Sequence, residues 1–208
     1  MATSPSKPAS PAEKQAQTAF RKRLGMLRLA DALRAGITRG TIERMLEKGT
    51  LERLTRGLYR LTDADPLPNP DLAVVAAKVP QGVICLISAL AFHELTTQIP
   101  HEVYVAIPRD SEPPRIEHPP LRSFRFGGQA FSEGIETHRL EPIVAKIYSR
   151  EKTLADCFKY RSQIGLDTCL EAVRFYQRQK KYKVDALLHF ADVCRVKKVM
   201  QPYLEAIL

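Results

Sequence analysis

Three glycines cut residues 28–61 into pieces that suit only a small helix-and-hairpin unit: Gly36, Gly49 and Gly57. Glycine ends a helix cheaply because it adopts positive φ without a Cβ penalty. The spacing predicts a helix over roughly Arg28–Ala35, closed by Gly36, with Leu29, Ala30 and Leu33 facing inward. Thr38 is a good N-cap for a second helix running to Lys48, with Ile42, Met45 and Leu46 inward, and Gly49 closes it. Leu51, Leu54, Leu58 and Leu61 around Arg56-Gly57 then read as two short strands and a tight turn. A further helix beginning at Pro11 precedes these elements, with Ala16, Ala19 and Phe20 on its apolar face. The order helix, helix, short turn, helix, hairpin is the plan of a winged helix-turn-helix.

Charge singles out the same segment. Residues 11–62 hold twelve Lys/Arg against five Asp/Glu, and therefore seven of the chain's nine net positive charges. A concentrated positive field attracts phosphate backbone, so double-stranded DNA is the expected partner. In this fold the last helix enters the major groove and its solvent face meets base edges. That face carries Thr38, Arg39, Thr41, Glu43, Arg44 and Lys48, and the wing carries Arg53, Thr55 and Arg56. Arginine grips guanine or phosphate with two parallel hydrogen bonds, and threonine reaches phosphates or methyl groups. All of these except Glu43, eight residues, form the candidate DNA-binding set, with Arg39, Arg44 and Arg56 foremost.

Residues 1–10 are rich in Ser, Pro and Ala and are expected to be a disordered tail. Residues 11–62 form the winged-helix domain. Residues 63–70 crowd prolines and read as a linker. Residues 71–208 form a second, nearly neutral domain of mixed α/β character that ends in a helical bundle, which makes the whole chain α+β. Strands are expected over 102–107, 121–126, 135–140 and 143–148. Helices are expected over 71–78, from Ser88 to about Leu95, from Ser149 to Tyr160, from Asp167 to Gln179, and near 184–194 and 197–208. A basic corner, Arg178–Lys183, lies between two of these helices.

The second domain shows little enzymatic signature. The phosphate-binding G-x-x-x-x-G-K-[ST] loop and the G-x-S-x-G nucleophile elbow do not occur. Ser88 reads as a helix cap, and Cys157, Cys169 and Cys194 as small core residues. His93 sits in an apolar helical run, and Asp156 reads as a structural acid near a basic group. Neither a catalytic set, nor a metal site, nor a cofactor is expected. With no apolar run long enough for a membrane span or an export signal, a cytoplasmic protein is expected.

Several stretches together resemble the AbiEi family of antitoxins from type IV toxin–antitoxin, phage-defence systems. In the first domain these are Ala35-Gly36-Ile37-Thr38-Arg39-Gly40-Thr41-Ile42 and Gly49 through Tyr59. In the second they are Ile87 through Leu95 and Tyr148 through Asp156. The resemblance implies a repressor that binds inverted repeats in its own promoter. It also implies an antitoxin whose second domain counters a nucleotidyltransferase toxin without a stable complex. Two alternatives remain open: a DNA-docking nuclease or nucleotide-processing enzyme, and a ligand-sensing winged-helix transcription factor.

Overall fold

A computed structural model describes residues 8–65, 69–140, 143–180 and 182–207. The chain divides into two compact units, residues 1–78 with 139–144, and residues 79–138 with 145–208. Residues 1–7 of the expected tail and 66–68 of the expected linker lie outside the described residues. Ser10, placed in that tail by composition, instead begins a capping box. Its hydroxyl accepts from the Glu13 backbone N–H while the Glu13 carboxylate accepts from the Ser10 N–H.

The first unit runs α1 (Pro11–Arg21), β1 (Met26–Arg28), α2 (Leu29–Arg34), α3 (Arg39–Glu47), β2 (Leu51–Thr55), β3 (Leu58–Leu61) and α4 (Pro70–Lys78). Its sheet has the order β1-β3-β2, antiparallel throughout. The core gathers Ala16 and Phe20 of α1, Leu27 of β1, Ala32 of α2, Ile42 and Met45 of α3, and Leu51, Tyr59 and Leu61 of the hairpin. At six residues α2 is too short to hold itself together, so its helicity depends on this packing.

β1 corrects the expected start of the second helix. Because Met26–Arg28 pairs with Leu58–Arg60, the helix begins at Leu29 and the strand sets its rotation. Ala32 is thereby its buried residue, while Leu33 is 40% exposed and Ala30 lies on the surface, against the inward positions expected for both. Two Schellman closures follow the glycine signals. Gly36 has φ +79, and the Ile37 N–H reaches the Ala32 carbonyl at 3.0 Å. Gly49 has φ +68, and the Thr50 N–H reaches the Met45 carbonyl at 2.9 Å. Residues 71–78, assigned from sequence to the second domain, pack instead within the first unit. Ala73 and Val74 of α4 form a small cluster with Met26, Leu58 and Ile143.

The second unit contains β4 (Val83–Ile84), α5 (Leu86–Phe92), β5 (Val103–Pro108), β6 (Leu121–Phe126), α6 (Gln129–Ser132), β7 (Ile135–Leu140), β8 (Ile143–Tyr148), α7 (Arg150–Lys159), α8 (Arg161–Ile164), α9 (Leu166–Arg178), α10 (Val184–Val193) and α11 (Lys197–Ile207). The last residues of β7 and the first of β8 are counted with the first unit. The sheet order is β6-β5-β4-β8-β7. β5 is parallel to β6 and antiparallel to β4, and β4 is parallel to β8, so the sheet is mixed. α7 is buried along most of its length, from Lys152 to Phe158, and forms the centre of a core with residues from α5, α9, α10 and α11.

Two expected caps differ. Ser88 lies inside α5, buried, where its hydroxyl accepts from the Tyr104 N–H at 2.9 Å and so ties the helix to β5. Asp167 falls in the first turn of α9, whose N-cap is Gly165 at φ +92. Ser149 does cap α7, accepting from the Lys152 N–H.

Candidate nucleic-acid interface

The order α1-β1-α2-α3-β2-β3 with a three-stranded antiparallel sheet is that of a complete winged helix. α3 occupies the recognition-helix position. Ile42 and Met45 anchor its inner face, which leaves Arg39, Glu43, Arg44 and Glu47 exposed. The N-cap is Thr38, whose hydroxyl oxygen accepts from the Thr41 N–H at 3.2 Å. The two hydroxyls of Thr38 and Thr41 lie 3.0 Å apart, and Arg44 donates to Thr41 Oγ1 at 3.2 Å. That short network stiffens the start of the helix and steadies the Arg44 guanidinium beside it.

The eight sequence-predicted residues separate into two groups. Arg39, Arg44, Arg53 and Arg56 are exposed, as is Thr38, and Thr55 is half-buried. Thr41, by contrast, is buried beneath the Thr38 and Arg44 side chains. Lys48 sits at the C-cap of α3 with its ammonium 2.8 Å from both carboxylate oxygens of Glu13. These two residues build the helix junction.

The wing is short. Arg56 and Gly57 form its tip, Gly57 at φ +79, and the Gly57 carbonyl accepts from the Leu29 N–H at 2.8 Å. A register shift between Arg53 and Thr55 bends β2 just before that tip. Arg53 lies over the Tyr59 ring, 5.6 Å from its centre, which limits the rotamers of an otherwise exposed side chain. Arg21, also basic and exposed, is bonded to Asp63 at 2.6 Å. Among the described residues Arg39, Arg53 and Arg56 have no ion-pair partner, so their donors face solvent.

In the second unit the cysteines and the Lys152–Asp156 pair lie in the core. All four cysteines are buried and free. Burial pushes the Cys85 and Cys157 thiols well up, and those of Cys169 and Cys194 to about 12. Lys152 and Asp156 are fully buried and bonded to each other at 2.6 Å, with the Cys194 thiol donating to Asp156 at 3.2 Å. The ammonium of Lys152 also lies 4.1 Å from the centre of the Tyr148 ring. A cleft of about 810 Å³ is lined by Asp156 of this pair, by the basic Arg109, Arg125, Lys159 and Arg195, and by the acidic Asp110 and Asp192. No described helix is long and apolar enough to cross a membrane.

The fold also assembles a group that sequence spacing does not reveal. His93 follows α5, Glu136 and His138 lie on β7, and one ligand atom of each falls within 4.8 Å of the others. Glu136 and His138 are two apart on a strand and so share a face. That half was open to inspection; the partnership with His93 depends on tertiary structure.

A winged helix that exposes Arg39 and Arg44 on α3, beside Glu43 and Glu47, and Arg53 and Arg56 on the wing has the plan of a transcriptional regulator. Residues 14–62, which span most of the winged helix, match the family described as "Transcriptional regulator, AbiEi antitoxin". No curated protein matches the chain at a significant level. Among solved structures, the fold is similar to that of the RV2827C protein from Mycobacterium tuberculosis. The TM-score is 0.54 at 12% identity, covering 95% of this chain and 82% of that one.

Proposed function

We propose that the protein is a DNA-binding autorepressor and the antitoxin of a type IV toxin–antitoxin system. In this reading it binds inverted repeats in its own promoter through α3 and the wing, and it counters a nucleotidyltransferase toxin without forming a stable complex with it. One observation carries the DNA half: Arg39, Arg44, Arg53 and Arg56 are exposed on the recognition helix and wing of a domain matching an antitoxin-regulator family. Arg39 and Arg44 would read base edges, and Arg53, Arg56, Thr38 and Thr55 would hold phosphates. Thr41 and Lys48 act one step back, by fixing the helix. The antitoxin half rests on the family match and on a second unit with a substantial core of its own.

Fluorescence anisotropy on the DNA upstream of the gene tests the first half. Expected is saturable binding at near-physiological salt that Arg39→Ala/Arg44→Ala abolishes. Equal affinity for unrelated DNA of the same length overturns promoter recognition. Coexpression tests the second half, which fails if the protein does not restore growth to cells expressing the neighbouring gene's product.

The basic residues of the cleft, Arg109, Arg125, Lys159 and Arg195, outnumber its acids, Asp110, Asp156 and Asp192, and favour a second reading, a regulator that senses an anionic small molecule. Release of the operator by a phosphorylated metabolite, lost in Arg125→Ala, would support it over the first.

A further inference from the structure

We propose that His93, Glu136 and His138 form a binding site for a divalent transition-metal ion of the zinc class, completed by solvent. The site belongs to the second unit.

His93 is buried and already oriented. Its Nε2 lies 2.7 Å from the Tyr148 backbone carbonyl, which can only accept, so Nε2 carries the proton. Nδ1 therefore keeps its lone pair. An imidazole that donates one nitrogen to a carbonyl and presents the other is the usual arrangement of a metal-bound histidine. The backbone at this point is also held: the His93 carbonyl accepts from Gln179 Nε2 at 3.1 Å. The next residue, Glu94, turns the chain at φ +59.

Glu136 and His138 come from the edge strand β7. Glu136 Oε2 and His138 Nε2 are 3.0 Å apart, and both side chains are partly exposed. Two ligands about 2.0 Å from a tetrahedral zinc ion are about 3.3 Å apart. The Glu136–His138 separation is therefore close to a ligand–ligand edge. The 4.8 Å limit on the whole group exceeds that edge by an amount that side-chain rotation of two partly exposed residues can close. Phe92 presents its ring edge-on to both imidazoles, at 5.2 Å and 4.8 Å between centres, and forms an apolar wall beside them.

Two imidazole nitrogens and one carboxylate oxygen, with one side open to water, suit Zn²⁺ or Co²⁺. They do not suit Ca²⁺ or Mg²⁺, which require mostly oxygen ligands.

The test uses the full chain after treatment with a chelator, titrated with Co²⁺ by visible absorption and with Zn²⁺ by calorimetry. Expected is one equivalent bound, with the intense visible bands of tetrahedral Co²⁺. His138→Ala should weaken binding at least about tenfold and remove the bands. His189→Ala removes the histidine of another surface His–Glu pair, 2.9 Å from Glu133, and should change nothing. Because His138 and Glu136 are partly exposed, His138→Ala and Glu136→Gln should unfold at the wild-type temperature without metal. The proposal is overturned if the wild type gives no bands, or if His138→Ala binds as tightly as the wild type.

Discussion

The Lys48 ammonium lies 2.8 Å from both carboxylate oxygens of Glu13, joining the end of α3 to the first turn of α1. The same carboxylate closes the capping box with Ser10. One nearly buried acid thus fixes both the start of one helix and the end of the recognition helix. The Lys48 hydrogen bond, followed by the Ser10 backbone N–H, holds the Glu13 carboxyl below its ordinary value of 4.5. A lowered folded pKa gives stability that is present above the unfolded value and is lost as pH falls through the folded one. Glu13→Gln should therefore unfold at a lower temperature than the wild type near neutrality, with the gap closing in acid below pH 4.5. Circular dichroism melts across that range give the answer, and a gap of constant size would refute the role assigned to the carboxylate.

The arginines of the proposed DNA interface should differ in kind. Loss of a base-reading arginine costs about 1–3 kcal/mol and relaxes preference at one position, whereas loss of a phosphate contact weakens all sequences alike. Arg39→Ala and Arg44→Ala should narrow the affinity gap between operator and unrelated DNA. Arg56→Ala should leave that gap intact and reduce the slope of log K against log salt by about 1. Lys48→Ala should lower stability more than it lowers the slope, because its charge is already engaged by Glu13.

The Lys152–Asp156 pair, with neither side chain accessible to solvent, makes a stability prediction with a built-in control. Removing one member strands the other in the core, so Asp156→Asn should destabilise by about 3–5 kcal/mol. Replacing both with apolar residues, Lys152→Met/Asp156→Leu, should return most of that loss. Burial raises the Asp156 carboxyl from 3.8 to about 6, against the opposing pull of Lys152. The folded state then holds more protons than the unfolded one between those values. Stability from this group falls as pH rises from 3.8 to about 6 and levels off above. Denaturant titrations should show that slope in the wild type and not in the double variant.

Gly25 tests the junction beside β1. It has φ +79, and a Cβ there would lie 2.2 Å from the Ala64 Cβ. Gly25→Ala should destabilise the winged helix through both strain and collision. Ala64→Gly in the same chain should recover the collision part alone, leaving the roughly 1 kcal/mol backbone cost. Full recovery would mean the backbone is not strained at this residue.

Much of this architecture was legible because its signals are local. Gly36 and Gly49 fall where the helices close, and alternation located β6, β7 and β8 to the residue. β1 was hidden because three residues carry no period, and its pairing with β3 then rotated α2 away from the expected face. Ser88 looked like a cap because polar residues in apolar runs usually are, but a backbone donor from β5 satisfies it inside the helix. Within the recognition helix, periodicity placed Ile42 and Met45 inward as found, yet Thr41 and Lys48 were counted as available. Only the distant Glu13 and the local hydroxyl network show them engaged. The His93–Glu136–His138 group was beyond sequence reasoning for the same reason.

All four cysteines lie in the second unit, buried, with their thiols held protonated. A thiol reagent therefore meets a target only when that unit opens. The rate of labelling in native protein becomes a clock for one half of the molecule, indifferent to fraying of the winged helix. Each cysteine also times a different element, Cys85 ahead of α5, Cys157 in α7, Cys169 in α9 and Cys194 at the end of α10. If the antitoxin works through motion in this unit, unmodified protein already carries four reporters with which to follow it.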